Sequence, residues 1–255
     1  HKFTKEKLMK RLLLLLFTIA TIGAQDYSLL FDGVDDVVET NITPSEIVEN
    51  NEISLASWVY LEDDNSYFGR TIVSNHHPSN TGITLLVVGL EEPEFHNHFA
   101  IGYVPEGELT TNQKLNTYTL ELNQWVHVAV TLTPNQIDWY IDGQLIESDE
   151  IDINILSFEG SPPNLKIGQG NPTPGFRQDW FGRLDNVIIA NELFNADLIL
   201  DIFDNDIDDS SVFSFLGYYK FNSGNGNTLY DHSGNQNHGT INGATWIENI
   251  YGCTD

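Results

Sequence analysis

The sequence predicts an all-β protein whose strands form an antiparallel sandwich. Residues 125–146, WVHVAVTLTPNQIDWYIDGQLI, show the order strand, short turn, strand, Asp-Gly turn, strand. The first run alternates with a period of two, and both of its faces carry apolar residues, so we expect it to be covered on both sides. Asp142-Gly143 favours a two-residue hairpin turn. The other apolar runs are short and separated by Gly, Pro, Asn or Asp, a spacing typical of a sandwich.

The remaining elements follow from the same patterns. Two short runs around a Gly turn at residues 26–40 predict an edge hairpin. His127, on the central strand, is predicted to be a hydrogen-bonded core residue. Residues 193–203 are the one helical candidate, with Asn195 as N-cap. Further strands are predicted at residues 53–61, 70–74, 82–90, 98–104, 164–168, 181–190 and 214–221.

The first 25 residues are typical of an exported protein. Lys10-Arg11 precede an apolar run at 12–17 and small residues at 18–24, the order of a secretory signal peptide, with cleavage expected near Ala24 or Gln25. The apolar run is too short for a membrane span. We expect residues 1–25 to be upstream sequence plus signal peptide, and the mature protein to be extracellular or at the cell surface.

The composition is strongly acidic. The chain carries 37 Asp+Glu and 11 Lys+Arg, a formal net charge of -26, and without residues 1–25 the balance is 6 basic against 36 acidic. A negative charge of this size repels nucleic-acid phosphates and anionic lipid and attracts divalent cations. The alternative is that the highly charged surface only keeps the protein soluble. We therefore expect neither a nucleic-acid partner nor membrane insertion.

Four motifs in order resemble the laminin-G-like jelly-roll family of the concanavalin A-like lectin/glucanase superfamily. They are LFDGVDDVVE at 30–39, ISLASWVY at 53–60, the segment 125–146, and FGRLDNVIIANELFNADLI at 181–199. The resemblance covers residues 26–205. It implies a two-sheet antiparallel jelly-roll sandwich, usually an adhesive or carbohydrate-binding module, often with a calcium ion near one edge.

A further family signature lies at residues 217–246. The closing segment 212–248 either completes a sandwich that spans 26–250, by pairing beside the first strand, or opens a second copy; we favour completion. Residues 251–255, YGCTD, resemble the beginning of the Cys- and Asp-rich repeats that follow such domains in secreted proteins of marine Bacteroidetes. By that resemblance Cys253, the single cysteine, pairs by a disulfide bond within a truncated repeat, and neighbouring domains follow.

The glucanase branch of the superfamily needs Glu, Asp and Glu on one face of a strand. Glu150 and Asp152 fit the first two positions, but Ile155 occupies the third. We therefore predict that the protein is not an enzyme. A glycoside hydrolase is kept as the second alternative, after a purely structural spacer domain.

Calcium is the predicted cofactor, in a structural role. It takes six to eight hard oxygens, and we predict ligands at Asp32, Asp185 and Asp231, with Asp35 and Asp36 close to the first. The alternative is that these carboxylates cap turns. His96 and His98 could share a strand face, but they lack a third ligand with clear spacing, so we interpret them as rim or loop histidines.

The predicted partner is a polysaccharide or a cell-surface glycan or protein. Sugars bind through aromatic rings with neighbouring amides and carboxylates. The predicted ligand-binding residues are therefore the loop residues Tyr67, His76, Arg177, Asp179 and Trp180. Trp180, in a Pro/Gly loop before a strand, is the most suggestive of them, although such a Trp often packs into the core.

Overall fold

The computed structural model describes residues 26–47, 49–62, 68–75, 82–89, 93–103, 112–151, 162–170, 177–204, 207 and 214–249. Their strands form two antiparallel sheets, which confirms the predicted jelly-roll sandwich. The sequence-based expectations that lie outside the described residues concern the signal peptide at 1–25, Tyr67, His76, Asp152, Ile155 and the terminal segment 251–255 with Cys253.

Sheet A contains the segment 125–146 at one end. It is ordered β10-β9-β8-β3-β12-β1-β16, and β13 also pairs with β12. Asp142 and Gly143 take the positive φ angles of the predicted hairpin turn, 46° and 74°. The strands of sheet A are β1 (Tyr27–Asp32), β3 (Ile53–Leu61), β8 (Trp125–Leu132), β9 (Gln136–Ile141), β10 (Gln144–Glu150), β12 (Phe181–Ala190), β13 (Phe215–Tyr219) and β16 (Thr245–Glu248).

Sheet B faces sheet A across the core. It is ordered β14-β15-β2-β11-β4-β5-β6-β7. Its strands are β2 (Val37–Glu39), β4 (Arg70–Ser74), β5 (Ile83–Val87), β6 (His98–Tyr103), β7 (Asn112–Thr119), β11 (Lys166–Ile167), β14 (Thr228–Leu229) and β15 (Gly239–Asn242).

The predicted edge hairpin at residues 26–40 is wrong. The β1 strand pairs with β12 and β16 in sheet A, whereas β2 pairs with β11 and β15 in sheet B. The chain crosses the sandwich at Gly33, whose φ of 75° favours glycine. Phe31 and Val38 therefore reach one core from opposite sheets. This crossing places an acidic loop, residues 32–36, at one end of the sandwich.

The main core lies between the sheets, and its largest fully buried side chains include Trp139, Trp180, Phe31 and Tyr219. Fully burying one large apolar side chain contributes about 1.5–3 kcal/mol to the free energy of unfolding.

Polar contacts join the edge strands β7 and β10: the Glu147 carboxylate accepts hydrogen bonds from Asn116 and Thr117.

The outer face of sheet A carries a second apolar cluster. Helix α2 (Ala196–Phe203) packs there, and the Asn195 side chain accepts a hydrogen bond from the Leu198 amide, which confirms the predicted helix and its N-cap. A further one-turn helix, α1 (Pro44–Ile47), was not predicted. Within the described residues, neither helix nor any other is long and apolar enough to span a membrane.

His127 lies under α2 against Trp58 and Phe203, with ring centroids 5.4 and 5.9 Å away. It is buried as predicted, but among the described residues neither ring nitrogen has a hydrogen-bond partner. Aromatic packing therefore replaces the expected hydrogen bonds. Burial lowers the pKa of His127 to about 4.

The segment 214–249 contributes strands to both sheets. Strand β13 pairs with β12 and β16 with β1 in sheet A, while β15 pairs with β2 in sheet B. This segment therefore lies within the same sandwich as the first strands.

Candidate functional site

A polar row crosses the outer face of sheet B. Because Val38, Ile167 and Ile241 face the core, their strand neighbours face outward. The register places Thr240 beside Glu39, and Glu39 beside Lys166. Ser74 and Thr84 continue the row on β4 and β5, where their hydroxyls are 2.8 Å apart. Hydroxyl, carboxylate and ammonium groups thus lie side by side on neighbouring strands.

A cleft of about 320 Å³ opens on this row. The Lys166 ammonium lies 3.8 Å from a Glu39 carboxylate oxygen, and Asn242 donates a 3.4 Å hydrogen bond to the other oxygen. One wall is fixed because the Leu165 carbonyl accepts a 2.6 Å hydrogen bond from the Thr40 hydroxyl. The cleft is lined by Glu39, Thr40, Asn41, Pro163, Asn164, Leu165, Lys166 and Thr240. Such a lining suits a ligand rich in hydroxyl groups.

The cleft connects to two predicted ligand-binding residues. Lys166 donates to Gln169 at 3.4 Å, and Gln169 donates to Asp179 at 3.2 Å. Arg177 makes two hydrogen bonds to the Asp179 carboxylate. Burial raises the pKa of Asp179, although the hydrogen bond from Arg177 lowers it. Arg177 and Asp179 therefore form one pair, oriented by the polar network that continues from the cleft.

Beside this pair lies the acidic loop between β1 and β2. Carboxylate oxygens of Asp32, Asp35 and Asp36 lie within 4.8 Å of one another. Asp36 accepts a 2.8 Å hydrogen bond from the Asp32 amide, and Asp32 accepts one of 2.9 Å from the Val34 amide. Burial raises the pKa of Asp36, and the charges of Asp32, Asp35 and Asp179 raise it further. Calcium takes six to eight oxygen ligands, so these three carboxylates would supply part of such a set, and the calcium ion stays a prediction.

Among the described residues, Asp185 belongs to no comparable group of acidic side chains, and its role as a calcium ligand stays a prediction. It occupies an irregularity of β12, between the stretch that pairs with β1 and the stretch that pairs with β13. Its carboxylate accepts hydrogen bonds from the Asn186 amide and the Asn249 side chain, at 2.7 and 3.3 Å. Burial raises the pKa of Asp185 to about 8, with a further contribution from the charge of Asp26.

Asp231 is buried and fully engaged with protein donors. It accepts from the backbone amides of Tyr218, Ser233 and Asn237 at 2.8–2.9 Å, and from the Ser233 hydroxyl at 2.8 Å. These contacts cap the loop 231–237 and tie it to β13. Asp231 thus has the geometry of a turn cap, and its role as a calcium ligand stays a prediction.

Trp180 and His98, two further residues singled out from the sequence, have structural roles. Trp180 is 0% exposed and belongs to the main core, because its backbone bonds back to Gly168 and turns the ring inward. This corrects the expectation of an exposed ring for sugar stacking. The His98 ring contacts the Asn116 carbonyl at 2.8 Å and the Thr119 hydroxyl at 3.0 Å, in agreement with a structural histidine.

The structure also exposes an aromatic ring that sequence reasoning missed. Tyr230 is 51% exposed and packs edge-on against His238, with ring centroids 5.5 Å apart. It follows Thr228 by two residues, and the same alternation that predicts strands would have placed both on the outer face of sheet B. The Gly- and Asn-rich composition around it predicted only loops.

Comparisons with known proteins agree with this fold. Residues 32–200 match the family described as the concanavalin A-like lectin/glucanases superfamily. A comparison with curated proteins found no match.

Similar solved structures include a "putative carbohydrate binding protein" from Bacteroides ovatus, with TM-score 0.66, 14% identity, and coverage of 88% of this chain and 60% of that one. The receptor binding domain of botulinum neurotoxin D has TM-score 0.50 and 16% identity, with coverage of 72% and 45%. This chain therefore spans about three fifths of the Bacteroides protein. Since the family match covers more than half of the 255 residues, the chain belongs to the concanavalin A-like lectin/glucanases superfamily.

Proposed function

We propose that this protein is an exported, non-catalytic carbohydrate-binding or adhesion module of a larger protein, with its glycan on the outer face of sheet B. The observation that carries the proposal is the polar cleft at Glu39, Lys166 and Thr240. Its groups lie on neighbouring strands, so main-chain hydrogen bonds hold them in place before a ligand arrives. The similarity of the fold to that of a "putative carbohydrate binding protein" from Bacteroides ovatus supports a sugar as the ligand class.

The network from Lys166 to Arg177 extends this surface. Arg177 is partly exposed, and the buried Asp179 holds its guanidinium in one orientation. A planar guanidinium held in this way can donate to sugar hydroxyls or to a carboxylate. We therefore propose Arg177 as a ligand-binding residue, as predicted, whereas Asp179, also predicted to bind the ligand, is proposed as the residue that positions Arg177.

A binding role is favoured over hydrolysis. Of the three positions that a glucanase would need, 150, 152 and 155, only Glu150 is described, and it is exposed at the end of β10. That strand is the edge of sheet A, whereas the cleft lies on sheet B. The Ile at position 155 also leaves the retaining mechanism without its third acid.

Calcium is proposed as a structural ion at the Asp32, Asp35 and Asp36 loop. The ion would fix the crossing between the sheets, next to Arg177 and Asp179. The signal-peptide pattern at residues 1–25 supports an extracellular location, where calcium is abundant enough for weak sites.

A panel of immobilised polysaccharides, with and without a chelator, tests the proposed function. We expect retention on at least one polysaccharide. Lys166→Ala should weaken it about tenfold, since it removes a charged hydrogen-bond donor. Lys114→Ala is the matched control, because Lys114 is also paired with a carboxylate, Asp149 at 2.7 Å, but lies on β7. Retention on no polysaccharide, or equal loss in both variants, would overturn the proposal.

A further inference from the structure

A compact group of aromatic and basic residues lies where the edges of the two sheets meet. The Tyr219–Asp231 bridge joins the end of β13 to the chain that follows β14. This pairing places Lys220 across from Tyr230, and Tyr218 across from His232. We call these four residues, with His238, the Tyr230 patch.

The contacts within the Tyr230 patch form two groups. The Lys220 ammonium lies 5.0 Å from the Tyr218 ring centroid, and Tyr218 lies 6.3 Å from His232. Tyr230 packs edge-on against His238 on its other side. The half-exposed Tyr230 ring therefore contacts one imidazole, and Lys220 is its cross-strand neighbour.

The charge of the Tyr230 patch is unusual for so acidic a chain. The structure describes three lysines, and Lys114 and Lys166 each lie within 4.0 Å of a carboxylate oxygen. Lys220 has no carboxylate within that distance among the described residues, and an aromatic ring is its neighbour instead. An ammonium without a carboxylate partner keeps its charge available to an external anion.

The hydrogen-bond donors of the Tyr230 patch are also defined. The Asp231 amide donates to Nδ1 of His238 at 3.1 Å, so a neutral His238 carries its proton on Nε2. Asp231 itself is the nearby acid, but it is buried and its oxygens are engaged by three amides and a hydroxyl. A donor and a cation thus border the aromatic face, while the adjacent carboxylate is satisfied internally.

We propose that the Tyr230 patch binds an anionic sugar residue, with the pyranose on Tyr230 and its carboxylate or sulfate at Lys220 and His238. The chemistry combines an aromatic ring for the apolar sugar face with a charge-assisted contact to the anion. Thr228, two residues before Tyr230, pairs with Thr240, which lines the cleft. This inference rests on the proposed function only in taking a saccharide as the ligand class.

Titration of the protein with D-glucuronate, D-glucose 6-sulfate and D-glucose, followed by backbone amide NMR shifts, tests the proposal. We expect the two anionic sugars to shift the amides of Lys220, Tyr230 and His238, and to bind about tenfold more tightly than glucose. Whichever anionic sugar binds more tightly identifies carboxylate or sulfate as the preferred group.

Two variants separate the two contacts. Lys220→Gln should remove the preference for the anionic sugars, while Tyr230→Ala should weaken all three sugars. Phe95→Ala is the matched control, since Phe95 is also an exposed aromatic residue, at 39%, on the 3-10 turn before β6. Both test positions lie at the surface, and unchanged melting temperatures would show that the fold is kept.

Three results would overturn the inference: no anion-dependent shifts in the patch, wild-type affinity in Lys220→Gln, or inorganic sulfate binding as tightly as glucose 6-sulfate. Failure of the proposed function would be seen in a different experiment, the retention of the wild type and of Lys166→Ala on polysaccharides. The two failures can therefore be distinguished. Retention of a neutral polysaccharide with no response of the Tyr230 patch would leave the cleft as the binding site and remove only this inference.

Discussion

Two acidic turns at the edges of the sandwich differ in how their carboxylates are satisfied. In the turn at residues 231–237, one aspartate, Asp231, receives four hydrogen bonds from protein donors. In the turn at 32–36, three aspartates converge on one another, and two backbone amides donate to them. The first turn is complete with protein atoms alone, whereas the second concentrates negative charge that a cation would neutralise.

The comparison shows that an Asp side chain in a Gly-containing turn can have either of two environments. A carboxylate surrounded by amide donors stabilises the fold directly, since hydrogen bonds to charged groups contribute about 1.5–3 kcal/mol each. Carboxylates that converge repel one another until a cation or a proton binds. Sequence composition does not distinguish these two environments. The groups that donate to Asp231 belong to Tyr218, Ser233 and Asn237, which lie on both sides of it in the chain.

Asp231→Ala should give the largest effect, a loss of about 3–5 kcal/mol in the free energy of unfolding, since it leaves three buried amides without their acceptor. Urea unfolding measures this loss. Asp231→Asn is the matched control and should lose less, because its remaining oxygen still serves the Tyr218 and Ser233 amides. If Asp231→Ala were as stable as the wild type, the turn would not depend on this cap.

Calcium should stabilise the wild type through the turn at 32–36, by about 2.7 kcal/mol when its concentration is a hundredfold above the dissociation constant. Asp35→Asn should abolish this gain, yet leave the calcium-free protein as stable as the wild type or slightly more so, because it removes repulsion from Asp36. Melting temperatures with calcium and with a chelator measure both effects. A wild-type melting curve that does not respond to calcium would refute the ion site.

Asp185 is a third case, a buried carboxylate with two hydrogen-bond donors, and its effect should depend on pH. Its pKa is about 8 when folded and 3.8 ordinarily, so the folded protein holds the proton more tightly. The contribution of Asp185 to the free energy of unfolding is therefore fully present below its ordinary pKa, and it is lost as the pH rises through about 8. Asp185→Asn should therefore gain stability relative to the wild type as the pH rises.

Urea unfolding of both proteins between about pH 5 and about pH 8 measures this difference, which we expect to be on the order of 1–3 kcal/mol. Carboxylates distant from Asp185 are common to both proteins and cancel in the comparison, whereas Asp26 interacts with Asp185 and contributes to the difference. A difference that stays constant across this range would show that Asp185 titrates normally in the folded state.

Most strands could be predicted from the sequence, but β7, β14 and β15 were not, and neither were all of the sheets to which the strands belong. Period-two alternation and the Asp142-Gly143 turn are local signals, so β8, β9 and β10 were predicted together. The separation of β1 and β2 depends on distant partners such as β12 and β15, which no local pattern identifies. A four-residue connection allows either a hairpin or a crossing.

The candidate site was predictable only where its residues are neighbours in sequence. Arg177 and Asp179 were identified together and do form a pair. Glu39, Lys166 and Thr240 lie far apart in the chain, and only the strand register brings them into one cleft. Trp180 was misjudged because it follows a Pro/Gly loop before a strand, although the backbone turn toward Gly168 directs its ring into the core.

The central claim is that a glycan binds on the outer face of sheet B. The most direct test is backbone amide NMR of the protein with an oligosaccharide cut from the polysaccharide that retains it. Our account predicts that the shifts concentrate at Glu39, Lys166 and Thr240 and extend toward Arg177. Shifts confined to the outer face of sheet A, around α2 and β10, would contradict it.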